Sequence, residues 1–445
     1  MNKEELLKAI EKEDVSFLRF LYVDNDGLIR GYVSAKNSIS GDLDSGHAYT
    51  SAMPFFSALD TIVSGSRFGP VGEYRHVPDL TSFRLVPYIP NTASVICDIK
   101  TIAHEPSGIC GRSALKDFLN SCGYDIKASF ENELYFILED ENGYLRPFDN
   151  SLCFATSGMN STSEIIAEIV DALAIQGIEV EKYYPEYGPG QQEIVCKYDT
   201  ALRASDNQVM FRETVRGIAE KHGVIASFMP KPFQNLAGSG GHIHVSIWKN
   251  GTNLFYDQND PLNLSKLGRN FVGGVLKHLP AICAFTAATV TSYKRLIPNN
   301  WASCTNTWGL DNREAAARVC SGQYGRESET LNVEIKAADC ANNPYLALLA
   351  ILSAGVDGIE NNLDPGEPVY QDPLTLSAEE QKRQNIIRLP QTLGEAVAAL
   401  QADTLYKNVL GEVFWEEYIK LKEFNWRQYN AQVTPWEISK FAKIF

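Results

Sequence analysis

The sequence contains no uninterrupted apolar run approaching the ~20 residues that cross a bilayer, which argues against a membrane-spanning chain. Positive charge is scarce as well. The formal balance is -15 over 445 residues, leaving no broad basic field for nucleic acid. The nine cysteines, among them Cys97, Cys110, Cys122, Cys153 and Cys196, show no CxxC pairing and no regular spacing. They read as reduced thiols, not as a disulfide or zinc framework. Internal repeats and low-complexity segments are missing too. Met1–Asp14 is a charged amphipathic stretch that lacks the pattern of a signal peptide. What is present is an ordinary globular mixture, 44% apolar and 21% charged, with ample material for a core. The expectation is an acidic, soluble, cytoplasmic enzyme, with no nucleic-acid or membrane partner, whose cations are placed locally. Its length allows two or three domains, or one large domain with a smaller partner.

Along the chain, Phe17–Asp24 alternates as a strand, Asn25-Asp26-Gly27 is a hairpin turn signal, and Gly31–Val33 is its partner. Residues 48–75 hold a Gly- and Ser-bearing stretch, including Ser64–Pro70, that reads as a loop. Phe83–Val86 and Ala93–Asp98 read as two further strands, and Glu105–Gly108 as a linker. This predicts a small α+β unit over residues 1–105 and a larger one over 106–445. In the larger unit Gly111–Leu119 and residues 204–221 read as helices. Ser161-Thr162-Ser163-Glu164 reads as a capping-box start to another helix, and Ala226–Met229 as a strand.

The chemistry concentrates in a few places. In Ser129–Leu138 a branched and aromatic run reads as a buried strand, and Glu131 and Glu133, two apart, leave the same face. Two carboxylates so placed repel each other unless a cation lies between them. Arg or Lys partners or an exposed strand end would answer this, and so would a divalent metal held by oxygen ligands. Glu186 and Glu193 flank a Gly188-Pro189-Gly190 turn before another strand. Ala237–Ser246 is a Gly-rich loop entering a strand whose alternation puts His242, His244 and Ser246 on one face. Brought together, the acids and one histidine would make an oxygen-rich site suited to Mg2+ or Mn2+ more than to structural zinc. Arg295, Arg313 and Arg318 add fixed positive charge suited to carboxylate and phosphoryl oxygens. Any one of these residues taken alone is more often structural or at the surface.

Taken in order, these segments resemble the glutamine synthetase superfamily over nearly the whole chain. The matching motifs are Glu131-Asn132-Glu133, Glu186–Glu193, Phe228–Pro232, Gly238–His244, Ser292–Leu296, Asp311-Asn312-Arg313 with Arg318, and Glu334 followed by Asn343–Leu348. The resemblance implies an α+β fold, with a small N-terminal β-grasp domain and a large C-terminal catalytic domain built on an antiparallel sheet. It also implies a homo-oligomeric double ring, usually a dodecamer, with active sites between subunits. ATP would be used with two or three Mg2+ or Mn2+ ions per site. Carried over by position, Glu133, Glu186 and Glu193 match the ligands of a first metal. Glu131, His242 and Glu334 match those of a second, which holds the nucleotide phosphates. Arg295 matches a glutamate-binding arginine, with Gly238 also on the substrate side. Arg313 and Arg318 match contacts to the transferred phosphoryl group, and His244 and Ser246 line the nucleotide. The implied chemistry is phosphorylation of the γ-carboxylate of glutamate by ATP, followed by displacement of phosphate by an amine.

Several positions depart from the family pattern. The flap segment after Ser292–Arg295 carries an acid in glutamine synthetases, whereas here Pro298–Ser303 has Trp301 in its place. The Asp-Gly-Ser-Ser motif of the ammonium site is missing, and Asp60 lies near its expected position without the Gly-Ser-Ser. Ala237 stands where Asn is usual, Lys336 where Arg is usual, and Asn332 replaces an arginine near the nucleotide. The tyrosine segment that carries the family's nucleotidylation switch is not reproduced. Alkylammonium and ammonium ions are protonated near neutrality and need an anionic pocket and a base. A site that has exchanged the flap acid for an indole suits an amine that arrives neutral and apolar. The favoured expectation is a γ-glutamyl–amine ligase acting on an aromatic amine such as aniline, in the manner of a γ-glutamylanilide synthase in amine catabolism. An alkylamine or polyamine comes next, since indole also binds cations. An ammonia-using synthetase and a non-catalytic ring homologue are the competing readings.

Overall fold

The computed structural model describes residues 1–298 and 300–445. Among these residues the chain forms two sheets. The first is built from β1 (Phe17–Val23), β2 (Ile29–Ala35), β3 (His47–Thr50), β4 (Glu73–Leu85) and β5 (Thr92–Lys100), in the order β2-β1-β5-β4-β3. Its central pair, β1 and β5, is parallel and the other pairs are antiparallel. Alternation sends Leu18, Phe20, Ala93, Val95 and Cys97 to one face. Leu6 and Ile10 of the helix Lys3–Lys12, with Ile39 and Leu43 of the helix Lys36–Ser45, close that face into a core of its own. A capping box between Asn2 and Glu5 fixes the start of the first helix.

The second sheet is larger. It contains β6 (Asp125–Glu139), β7 (Leu145–Pro147), β8 (Val180–Pro185), β9 (Gln191–Cys196), β10 (Asp199–Thr200), β11 (Ile225–Ser227), β12 (Gly241–Lys249), β13 (Thr252–Asn253), β14 (Trp308–Leu310), β15 (Ala317–Cys320) and β16 (Asn332–Ile335). Its main path runs β14-β15-β16-β12-β6-β9-β8, and apart from the parallel β14–β15 pair its ladders are antiparallel. The fold is therefore α+β, a small N-terminal domain with a sheet and a large antiparallel-sheet domain, as the sequence led one to expect. The helices Ala201–Lys221, Lys266–Thr286 and Pro344–Glu360 bury their apolar faces behind this sheet and leave its other face for polar side chains.

Two local expectations are corrected. Ser161–Glu164 does not form a capping box, because a short helix, Thr156–Ser161, already occupies the segment. Ser161 Oγ donates instead to Asp149 and to the Gly158 carbonyl, and Thr162 caps the next helix without a side-chain bond. The stretch 48–75 is not all loop, since β3 occupies its first residues and β4 begins at Glu73.

The Asn25–Gly27 turn does more than reverse the chain. Arg212 donates to the Gly27 carbonyl at 2.9 Å, Asn343 to the Asp24 carbonyl at 2.9 Å and Lys422 to Asp26 at 2.6 Å. Gly27 is required there, with φ of +103° and a would-be Cβ 2.7 Å from the Ala341 carbonyl. Beside it, buried Arg112 donates to Asp206 on the helix Ala201–Lys221, to Asp98 on β5 and to Asp79 on β4, all at 2.8–3.0 Å. Tyr345 adds a bond to Asp206 at 2.7 Å. The first sheet is thus tied to the helices of the larger domain by buried, charge-assisted bonds at two places.

Candidate active site

Strand register assembles the site. Glu131 on β6 lies opposite His242 on β12, Glu133 lies opposite Glu193 on β9, His244 lies opposite Glu334 on β16, and Glu334 lies opposite Arg318 on β15. Residues separated by up to two hundred positions in sequence therefore share one face of one sheet. Because the side-chain period is two, a slip of one residue in any ladder would remove its contribution to that face.

At the centre, His242 Nδ1 is 3.2 Å from Glu131 Oε2 and 3.1 Å from Glu334 Oε1. Among the described residues, Glu131, His242 and Glu334 are the one set of three potential ligands whose donor atoms all lie within 4.8 Å of one another. Two carboxylates and an imidazole suit a hard divalent cation such as Mg2+ or Mn2+, so these residues fit the ion implied by the sequence. Cations surround the set. Arg318 donates to Glu334 Oε2 at 2.7 Å, and Lys336 Nζ lies 3.5 Å from Glu334 Oε1 and 3.4 Å from His242 Nε2. Arg295 donates to His242 Nε2 at 3.1 Å and to the Ala338 carbonyl at 3.1 Å. Burial alone would raise the Glu334 and Glu131 carboxyls. Lys336 and His242 hold Glu334 well below the usual range, and bonds from His242 and His244 do the same for Glu131.

The second group of acids behaves in the opposite way. Burial, then repulsion from Glu131 and Glu133, pushes the Glu193 carboxyl up to about 10, and its Oε1 accepts a bond from the Tyr184 hydroxyl. Burial and Glu133 likewise raise Glu186, which accepts the Tyr187 N–H at 2.7 Å. Glu133 accepts the Gly240 N–H at 2.8 Å and a bond from Gln191 at 3.3 Å. Gly240 keeps the centre open: a Cβ there would stand 2.7 Å from Arg295, 2.8 Å from His242 and 3.0 Å from Glu133.

The substrate-side positions lie around this core. The Gly238 carbonyl accepts from Gln191 at 3.0 Å, and the Ala237 carbonyl from the Tyr135 hydroxyl at 2.9 Å. A cavity of about 320 Å³ opens beside Glu131, His244 and Ser246, with Lys127 and Trp248 on its wall. Lys127 Nζ sits 3.5 Å from the centre of the Trp248 ring, and the indole N–H donates to Ser246.

Three of the sequence-predicted residues lie outside this cluster. Arg313 is exposed. Trp301 is 64% exposed in a loop, with φ of +50°, and its N–H donates to Glu314 at 3.2 Å; Asn299 of the same segment lies outside the described residues. Asp60 belongs to the N-terminal domain, where it is exposed and pairs with Arg30 at 2.9 Å.

Sequence reasoning missed several neighbours. Tyr184 and Gln191 lie two residues from Glu186 and Glu193, so the strand period applied to that segment could have selected them. Cys320, 4.0 Å from both His244 and Glu334, and Glu314 carry no local signal. Phe154, exposed and 4.9 Å from the Tyr184 ring, places an aromatic pair next to Glu193.

The glutamine synthetase catalytic-domain family model matches residues 109–441, and the glutamine synthetase N-terminal-domain model matches residues 1–104. The glutamine synthetase of Halobacterium salinarum is 34% identical over 459 residues, spanning 100% of this chain and 97% of its own. That of Thermotoga maritima is 33% identical over 452 residues, spanning 100% of both chains. Among solved structures, a GmaS/ADP complex superposes with a TM-score of 0.87 at 28% identity, covering 98% of this chain and 99% of its own. A structure described as a novel glutamine synthase homolog superposes with a TM-score of 0.84 at 29% identity, covering 97% and 99%.

Proposed function

The chain belongs to the glutamine synthetase family of ATP-dependent ligases, and from that premise we propose that it joins glutamate to an organic amine through γ-glutamyl phosphate. The favoured nucleophile is a neutral, apolar amine of the aniline type. The observation that carries this reading is Trp301: an exposed indole stands in the segment where the family resemblance places an acid. The aromatic pair of Phe154 and Tyr184 beside Glu193 supports it, because flat apolar walls suit an arylamine.

In this reading Glu131, His242 and Glu334 would hold one divalent cation and Glu133, Glu186 and Glu193 the other, and Mg2+ or Mn2+ bound there would supply charge neutralisation for phosphoryl transfer. Arg318, already fixed by Glu334, and Arg313, exposed and free to swing, face the charge that builds on those oxygens as the γ-phosphoryl moves. Arg295, with Gly238, Ala237 and Lys336 around it, receives the substrate carboxylates, and His244 and Ser246 line the nucleotide cavity. The ADP of the GmaS/ADP complex supports the nucleotide assignment. Asp60, remote from the cluster within one chain, fits a role at the site of an adjoining subunit in a homo-oligomeric double ring. The domain boundary falls at residues 105/106, and the enzyme works in the cytoplasm.

The test is phosphate release from ATP with glutamate and Mg2+, scanned over ammonia, methylamine, ethanolamine, putrescine and aniline, in the wild type and in Trp301→Glu. Turnover with aniline and little with ammonia, with ammonia use gained in the variant, is the expected result. Turnover with ammonia alone in the wild type would overturn the amine assignment. Silence on all five would overturn glutamate as the acid.

A further inference from the structure

A ligase that forms an amide must dispose of a proton whichever amine it uses. When the amine nitrogen attacks the γ-carbonyl carbon, the C–N bond forms and the carbon–oxygen bond to phosphate breaks. Phosphate leaves with that bonding pair, and the nitrogen must lose one proton to become a neutral amide. The segment Pro298–Ser303, which corresponds to the family's flap, has no acid with which to take it.

An acid does stand beneath that segment. Glu314 Oε1 accepts the Trp301 N–H at 3.2 Å, while its second oxygen takes no hydrogen bond among the described residues. The turn that presents it is firmly held. The Glu314 N–H donates to Asn312 Oδ1 at 3.0 Å, and Asn312 Nδ2 donates to the carbonyls of Val369 and Gln371 at 2.8 and 2.9 Å. Ser303 Oγ bonds the Ala315 carbonyl at 3.0 Å, and Ala315 to Ala317 are fully buried before β15 delivers Arg318. This held turn therefore presents Arg313 and Glu314 a few residues ahead of Arg318 on β15, with the Trp301 loop resting on Glu314. Resting on the ligase reading, we infer that Glu314 is the proton acceptor for the attacking amine, supplied from below the flap and not from the flap itself.

The surroundings suit the task. The titratable and charged groups about Glu314 are Asp372, Lys336, Cys304, its chain neighbour Arg313 and, beyond Cys304, Arg388. Burial and then Asp372 raise its carboxyl above the usual range, with Lys336 opposing. A base so raised holds a proton more readily than a free carboxylate.

Glu314→Gln separates the roles, because the amide oxygen can still accept the Trp301 N–H but the side chain cannot take a proton. Glutamate-dependent ADP release without amine reports the phosphoryl transfer, and amide formation reports the step assigned to Glu314. The expected result is a fall of about 100-fold or more in the amide-forming rate relative to ADP release, with loss of the acidic limb of the pH–rate profile. Glu314→Asp should restore part of both. Wild-type amide formation and an unchanged pH profile in Glu314→Gln would overturn the assignment, as would an equal loss of ADP release and amide formation. If wild-type protein shows no glutamate-dependent ADP release, the ligase reading fails first and separately.

Discussion

Glu193 offers a direct measure of the electrostatics of the acidic row. It is buried, and its carboxyl is displaced from the ordinary 4.5 up to about 10 by burial and by Glu131 and Glu133. The folded chain therefore keeps a proton that the unfolded chain has released, and stability falls as pH rises from about 4.5 toward 10. At about 1.4 kcal/mol per pH unit, the burden is about 3 kcal/mol at pH 7 and larger at pH 8. Glu193→Gln removes the titration while keeping an oxygen for the Tyr184 hydroxyl. In EDTA the variant should be more stable than wild type at pH 8, by several degrees in Tm, and indistinguishable near pH 4.5. Mg2+ or Mn2+ should reverse the order, since a cation needs the carboxylate and displaces its proton. Thermal melts at equal protein concentration, at pH 5, 7 and 8, with EDTA or metal, test all three statements. A stability gap that ignores pH, or a wild type that is the more stable at pH 8 in EDTA, would refute the reasoning.

Gly240→Ala should cut metal affinity and turnover together, because its Cβ would displace Arg295, His242 and Glu133 at once; calorimetric titration with Mn2+ checks this, and unchanged affinity would contradict the packing. His278 is clamped between Asp403 at 2.6 Å and Asp357 at 3.0 Å, and these partners raise its pKa against the opposing effect of burial. Its contribution is complete below the unfolded value near 6.5 and is lost as pH rises through the folded value. His278→Gln should therefore cost about 1–3 kcal/mol at pH 5.5 and progressively less above neutrality, as read from urea melts at pH 5.5 and pH 8.5.

The candidate site was legible in the sequence wherever chemistry followed local periodicity. Glu131 and Glu133 two apart, and His242, His244 and Ser246 in alternation, needed only the period of a strand. That Glu131, His242 and Glu334 meet needed the registers of β6 with β12 and of β12 with β16, pairings that no local pattern encodes. The resemblance to a family supplied that information instead. Glu314 was invisible for a related reason: its significance comes from a backbone N–H thirteen residues away in a loop without regular structure. Ser161–Glu164 shows the reverse error. The local signal was overridden because Ser161 already lies in the last turn of the helix Thr156–Ser161, which leaves Thr162 at the start of the next helix.

Arg112 sits only a few residues past residue 105, yet its guanidinium neutralises acids both of the first sheet and of the helix Ala201–Lys221. Cut between residues 105 and 106, the N-terminal fragment would keep Asp79 and Asp98 without their counterion. The other fragment would keep Arg112 with Asp206 alone and would bare the face on which the Asn25–Gly27 turn rests. Stranded buried charges of this kind are costly, so neither fragment should persist as an autonomous folding module. Swapping N-terminal domains between relatives would have to carry Asp79 and Asp98 across as a matched lock for Arg112, and a chimera lacking either should fail at assembly before it fails at chemistry.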